Sequence, residues 1–327
     1  MTSTSETGTT RPLPYDELAV VTSRLGLLEG AEDVVDALAD LAQAQARLLP
    51  DGPATDVRGS YVGGHPFLPA GTSWPTDEAG APLAFVAQVN FADLAAALAA
   101  SDVAPASTRG LQELPDSGLL QWFVPAVECF GLSFEHRDRA YARFHSAEEL
   151  TREAAQPVSA AVPDTGSGEW SSPLLHRDRA TAVRFVVESS LPAVTDLHEG
   201  YRPERLGVLG DEDRLERIGE AAGSAFTDVY GGDTVPGQDD PEEEPPAIGG
   251  GDKVGGWPCI VQGDPRCADA QDPAAAAPGA DTLILQLDSD EGVFTEWGDS
   301  GISWLFGDPA SLRRGETSSL WWSWACY

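Results

Sequence analysis

Three short blocks occur twice in this chain, in the same order. Tyr61-Val62-Gly63-Gly64-His65-Pro66 matches Lys253-Val254-Gly255-Gly256-Trp257-Pro258. Phe85-Val86-Ala87-Gln88-Val89-Asn90 matches Leu283-Ile284-Leu285-Gln286-Leu287-Asp288, and Asp116-Ser117-Gly118-Leu119 matches Asp299-Ser300-Gly301-Ile302. Ordered self-similarity of this kind signals a repeated supersecondary unit. Its parts are legible. Gly-Gly permits positive φ or close backbone approach, the following Pro fixes φ, and the apolar run is a strand. Asp-Ser-Gly is a turn whose side chains can bond nearby amides. Gln88 and Gln286 hold the same place in their strands, where each is expected to pair with backbone groups of the sister unit.

The fold class that follows is mainly β (α+β). One duplicated β unit forms one large domain, with an N-terminal helix and a few peripheral helices. Residues 1–14 read as a disordered N-terminus and 15–54 as an N-terminal helical segment. Within it, Val34, Val35, Leu38, Leu41, Leu48 and Leu49 follow a helical period over 31–49, and Pro50-Asp51-Gly52 ends it. Residues 55–236 are the first β repeat with insertions. They contain strands at 83–89, 119–124 and 180–188, a short helix at 91–99 capped by Asn90, and a polar helix at 203–222. Residues 237–251 form an acidic, Pro/Gly-rich loop, with five carboxylates between 239 and 244. That loop lacks the ligand alternation of a calcium loop. Residues 252–327 are the second β repeat, with the segment 254–261 followed by strands at 282–288 and 320–327. In the last of these, Leu320, Trp322, Trp324 and Cys326 share one face and Trp321, Ser323, Ala325 and Tyr327 the other. Both faces are apolar, so this strand is expected to be covered.

The blocks Gly63-Gly64-x-Pro66-x-x-Pro69, Trp74-Pro75, Pro82-Leu83-x-Phe85-x-x-Gln88-x-Asn90 and Ser117-Gly118-Leu119-Leu120-Gln121-x-Phe123 carry a resemblance. So do Gly255-Gly256-x-Pro258, Gln262-x-Asp264-Pro265-Arg266, Leu285-Gln286-Leu287-Asp288 and Trp297-Gly298-Asp299-Ser300-Gly301. Together they resemble the YwqG-like family, a bacterial domain family of unknown function, over residues 55–327. The chain ends Trp324-Ala325-Cys326-Tyr327, close to the family's aromatic–Cys terminus, although Ala325 stands where an acidic residue is expected. The resemblance implies a mainly β, internally duplicated fold. It implies no reaction and no catalytic residues, only a loose association with toxin–immunity neighbourhoods.

Charge narrows the partners. With 53 Asp+Glu against 20 Lys+Arg the net charge is −33. A surface this acidic repels the phosphate backbone of nucleic acid and an anionic membrane alike. No apolar run approaches the length of a membrane span. The N-terminus lacks the charged and apolar regions of a secretory signal, and the four cysteines lack CxxC spacing, so the expected compartment is the cytoplasm. Lys253 is the only lysine.

Familiar catalytic patterns fail. The two HRD triplets, His136-Arg137-Asp138 and His176-Arg177-Asp178, have no Asn five residues after the Asp, and read as polar turns or exposed strand ends. There is no P-loop, no G-x-S-x-G and no HExxH. No catalytic residue, metal or cofactor is assigned. The expectation is a non-catalytic binding module for a protein partner, a basic one such as a toxin. The alternative is an enzyme or small-molecule binder with its site between the two repeats. The candidate ligand-binding residues are Gln88, Lys253, Gln286, Trp297 and Asp299. Oligomeric state is left open.

Overall fold

The structure is a computed structural model that describes residues 36, 39, 41–103, 110–132, 138–163, 172–174, 178–191, 250–261, 264–266, 282–289 and 295–326. The disordered segment expected at 1–14, the polar helix at 203–222 and all but the last two residues of the acidic loop 237–251 lie outside the described residues.

The described residues are mainly β, with few helices. Eleven strands form one antiparallel sheet in the order β5-β11-β10-β9-β8-β1-β7-β2-β3-β4-β6. They are β1 (Gln43–Pro53), β2 (Tyr61–Val62), β3 (Ala84–Asn90), β4 (Leu119–Val124), β5 (Asp138–Arg139) and β6 (Tyr141–His145). β7 (Thr181–Ser190), β8 (Lys253–Gly255), β9 (Thr282–Asp288), β10 (Ile302–Gly307) and β11 (Trp321–Ala325) complete the set. The outermost strands, β5 and β6, are neighbours in sequence. Only Ala140 separates them, and its N–H donates to the Leu320 carbonyl at 3.0 Å. One segment therefore pairs with both ends of the sheet, so it curls nearly closed and few strand edges stay open. The first HRD triplet contributes Asp138 to the exposed strand β5, ahead of β6.

β1 corrects the expectation of helix through residue 49. Residues 36, 39 and 41 are helical, but Gln43–Pro53 is a strand flanked by β7 and β8. Alanine and leucine favour helix in isolation. Here two neighbouring strands satisfy the β1 backbone on both sides. Ala44, Ala46 and Leu48 enter the main core, while Gln45 and Arg47 alternate to the opposite face. In the segment 254–261 the strand β8 is short. It stops at Gly255, and Trp257 then pins the chain by donating its backbone N–H to Ser190 Oγ at 3.0 Å and its indole N–H to the Leu41 carbonyl at 2.8 Å.

Other elements agree with the sequence. β4 and β9 span 119–124 and 282–288. Asn90 Oδ1 accepts from the Ala92 N–H and caps the helix Phe91–Ala99. β11 buries both of its faces: Trp322 and Trp324 in the main core, Ala325 in a second cluster with Trp304 and Phe306.

β1 and β7 form the seam between two half-sheets of matching order. β7 is followed by β2, β3, β4 and β6; β1 is followed by β8, β9, β10 and β11. Local irregularities match too. A bulge falls at Val86 in β3 and at Ile284 in β9, because the register skips one residue there in each half. The Phe91 N–H donates to the Gly118 carbonyl at 2.9 Å, as the Ser289 N–H does to Gly301 at 3.0 Å. Both turn glycines are sterically required. A Cβ on Gly118 would strike the Phe144 ring, and one on Gly301 would strike the Ala325 and Trp297 carbonyls.

Candidate functional site

The two strand glutamines are structural anchors, and each serves its own half. Gln88 Nε2 donates to the carbonyls of Val57 (2.9 Å) and Gly59 (2.8 Å), while its Oε1 accepts from the Phe67 N–H at 3.0 Å. Gln286 Nε2 donates to Gly251 at 2.8 Å, and its Oε1 accepts from the Cys259 N–H at 2.9 Å. Both side chains are fully buried. The pairing with the sister unit expected from the sequence is therefore corrected. A buried primary amide offers both donors and acceptors, so it can close the loop before its own strand. Gln121 and Trp304 extend the parallel: opposite Gln88 and Gln286, they donate to the carbonyls of Phe67 (2.8 Å) and Cys259 (2.9 Å).

Trp297 is also a core residue. Its ring stacks on Trp122 at 5.5 Å between centroids and meets Phe130 edge-on at 5.1 Å. Asp299 is exposed in the turn, with its N–H on Cys326 Sγ at 3.3 Å. Neither residue lies with the two glutamines. Of the five residues singled out from the sequence, the sheet brings only Lys253 and Gln286 side by side, as direct partners in register.

Lys253 leads to a cluster that the sequence reading missed. It is buried and directly opposite Arg47 on β1. Two residues along the same face, Gln45 stands opposite Glu188 on β7. Glu188 Oε1 accepts from Gln45 Nε2 at 3.0 Å and its Oε2 accepts from Arg47 Nη2 at 3.1 Å. Gln45 and Glu188 are almost wholly buried, whereas the Arg47 side chain keeps 18% of its exposure. Truncating one member of a buried ion pair of this kind costs about 3–5 kcal/mol, because the other charge is left uncompensated. The Gly255-Gly256 turn closes over one end. A Cβ on Gly256 would lie 2.7 Å from Gln45 Cβ, at a φ of +74°. The available signal was the alternation Ala44-Gln45-Ala46-Arg47-Leu48, a period of two inside a stretch whose composition suggested helix.

Elsewhere burial reshapes single groups. It pushes the Tyr61 phenol far up, with Asp56 adding to the effect. It holds the His65 imidazole below its usual range against the Pro66 carbonyl, which accepts from Nδ1 at 2.8 Å. Among the described residues no three His, Cys, Asp or Glu side chains gather closely enough to hold a metal ion. No helix among them is long and apolar enough to cross a membrane.

A family model described as a domain of unknown function, DUF1963, matches residues 60–326. The chain belongs to this family. No curated protein matches it. The DUF1963 match begins after β1, so Gln45 and Arg47 come from a strand outside the matched span, although that strand is hydrogen-bonded to β7 and β8 within it.

Proposed function

We propose that this chain is a YwqG-like, non-catalytic binding module that holds a basic protein partner in the cytoplasm, with toxin immunity as one setting. The observation that carries this reading is the net charge of −33 on a chain whose buried glutamines and Trp297 are engaged in holding the sheet and its loops. An acidic surface steers a cationic partner by long-range attraction. The test begins with affinity capture and mass spectrometry, followed by reconstitution of the complex from purified components. A stoichiometric complex with a basic protein, weakening steeply as salt rises, is the expected result. Absence of any stoichiometric partner across growth conditions overturns the reading. Failure of co-expression to protect cells from any toxin encoded nearby removes the immunity setting.

A second reading, a small-molecule binder or enzyme with its site between the two halves, draws on one observation. The group Gln45, Arg47, Glu188 and Lys253 sits on β1 and on the two strands that flank it, β7 and β8. Thermal-shift screening against metals and metabolites tests it, and a flat response throughout would sink it.

A further inference from the structure

The two halves of the sheet provide an internal control for the charged group at the seam. In the first half, Tyr61 of β2 pairs with Gln88 and Ala182, as Lys253 pairs with Gln286 and Arg47 in the second. Gly64 closes over Ala180, as Gly256 closes over Gln45. The Ala54 N–H donates to the Ala180 carbonyl, which sets Ala54 opposite Ala180 as Glu188 is opposite Gln45. One scaffold thus carries Tyr61, Ala182, Ala180 and Ala54 on one side, and Lys253, Arg47, Gln45 and Glu188 on the other. Tyr61, Ala180 and Ala54 of the first set join an apolar cluster with Phe85 and Phe123. The fold therefore closes without charge at these positions.

The charged version also leaves two buried atoms without hydrogen bonds: Gln45 Oε1 and Arg47 Nε. Rotating the Gln45 amide does not help. The Glu188 carboxylate accepts and cannot donate, so Nε2 must face it and Oε1 must face away. Buried orphans of this kind are rare in native proteins and call for a partner. Here one is a charged donor and the other a neutral acceptor, two residues apart on one face of β1. Lys253 is the direct cross-strand partner of Arg47, which carries the donor.

We propose that this seam is a binding site for a small carboxylate that also carries a hydroxyl or amino group. The carboxylate accepts from Arg47 Nε–H in the field of Lys253, a charge-assisted bond. The hydroxyl or ammonium donates to Gln45 Oε1. Glu188 orients both side chains, and the partly exposed guanidinium marks the side on which solvent reaches the group. This inference rests on the second reading above and names its ligand class.

The test is a glycolate titration of the full 15N-labelled chain, followed at the Arg47 Nε–H and Gln45 Nε2 signals. Acetate (no donor) and ethylene glycol (no carboxylate) are the controls. Saturable shifts with millimolar glycolate, at least about tenfold weaker with either control, are expected. Gln45→Ala installs the residue that the other half carries as Ala180, so it should fold and lose the glycolate preference. Three results overturn the proposal: no saturable shift in the wild type below about 100 mM, equal responses to acetate and glycolate, or a long-lived water on Arg47 Nε–H that glycolate does not displace. Hits in the wider metabolite screen without a glycolate response would remove this inference and leave the second reading standing. Silence in both would remove both.

Discussion

Replacing Gln88 with leucine should be among the most damaging single changes that preserve side-chain volume. Leucine fills nearly the same space, so the cavity cost is small and the loss is polar. Gln88 holds four groups: the Phe67 N–H, the Val57 and Gly59 carbonyls, and Gln121 Nε2 at 3.1 Å. Gln121 keeps its bond to the Phe67 carbonyl, and Gly59 is near enough to the surface to find water. Phe67 is wholly buried, and Val57 nearly so. Orphaning those two backbone groups costs about 1–3 kcal/mol each, giving a total of about 2–6 kcal/mol. That is a large share of the 5–15 kcal/mol or so that stabilises a typical domain. Equilibrium urea unfolding followed by tryptophan fluorescence reads it directly. With a slope of about 3 kcal/mol/M, the midpoint should fall by about 0.7–2 M. The Phe67 amide should also move from slow to fast hydrogen exchange. A midpoint change worth less than about 0.5 kcal/mol, with Phe67 still protected, would refute the idea that this glutamine closes its loop.

Gly64→Ala should destabilise by more than about 1 kcal/mol, because the new Cβ would lie 2.5 Å from Ala180 Cβ at a φ of +71°; thermal unfolding checks it. Stability should decline as pH falls below about 6.5, the usual imidazole value, because His65 and His145 are held below it, mainly by burial. The unfolded chain then binds more protons than the folded one, so the loss grows until the pH passes below the folded-state values. Asp93, raised by burial, acts with the opposite sign near the carboxylate range. A Tm that rises between about pH 6.5 and pH 5.5 would contradict this assignment for the histidines. Raising KCl to about 0.5 M should increase Tm, because screening relieves self-repulsion in a chain of net charge −33; an unchanged Tm would show that the carboxylates are already dispersed or paired.

Much of the fold was legible because strand signals here are local. The runs at 119–124 and 282–288 are short and apolar, bounded by turn residues, and they became β4 and β9 at those limits. The glycines and prolines repeat because each half must make the same close approaches, Gly64 on Ala180 and Gly256 on Gln45. Asn90 could be read as a cap because a cap depends on its immediate neighbours. β1 was not legible in this way. Its alanines favour helix, and only strands far away in sequence, β7 and β8, supply the hydrogen bonds that make it extended.

The same distinction separates what each level determined about function. The sequence by itself established the repeated blocks, the acidic composition and the lack of familiar catalytic patterns, since these are properties of order and composition. It could also place Gln88 and Gln286 at equivalent points, but the direction of their bonds depends on how the loops fold back, and each turned to its own half. Lys253 drew attention as the only lysine. Only the tertiary structure set it opposite Arg47 and beside the Gln45–Glu188 pair, because those residues come from three strands separated by insertions. Local preference shapes elements from adjacent residues; a site built across a seam exists only once distant strands have paired.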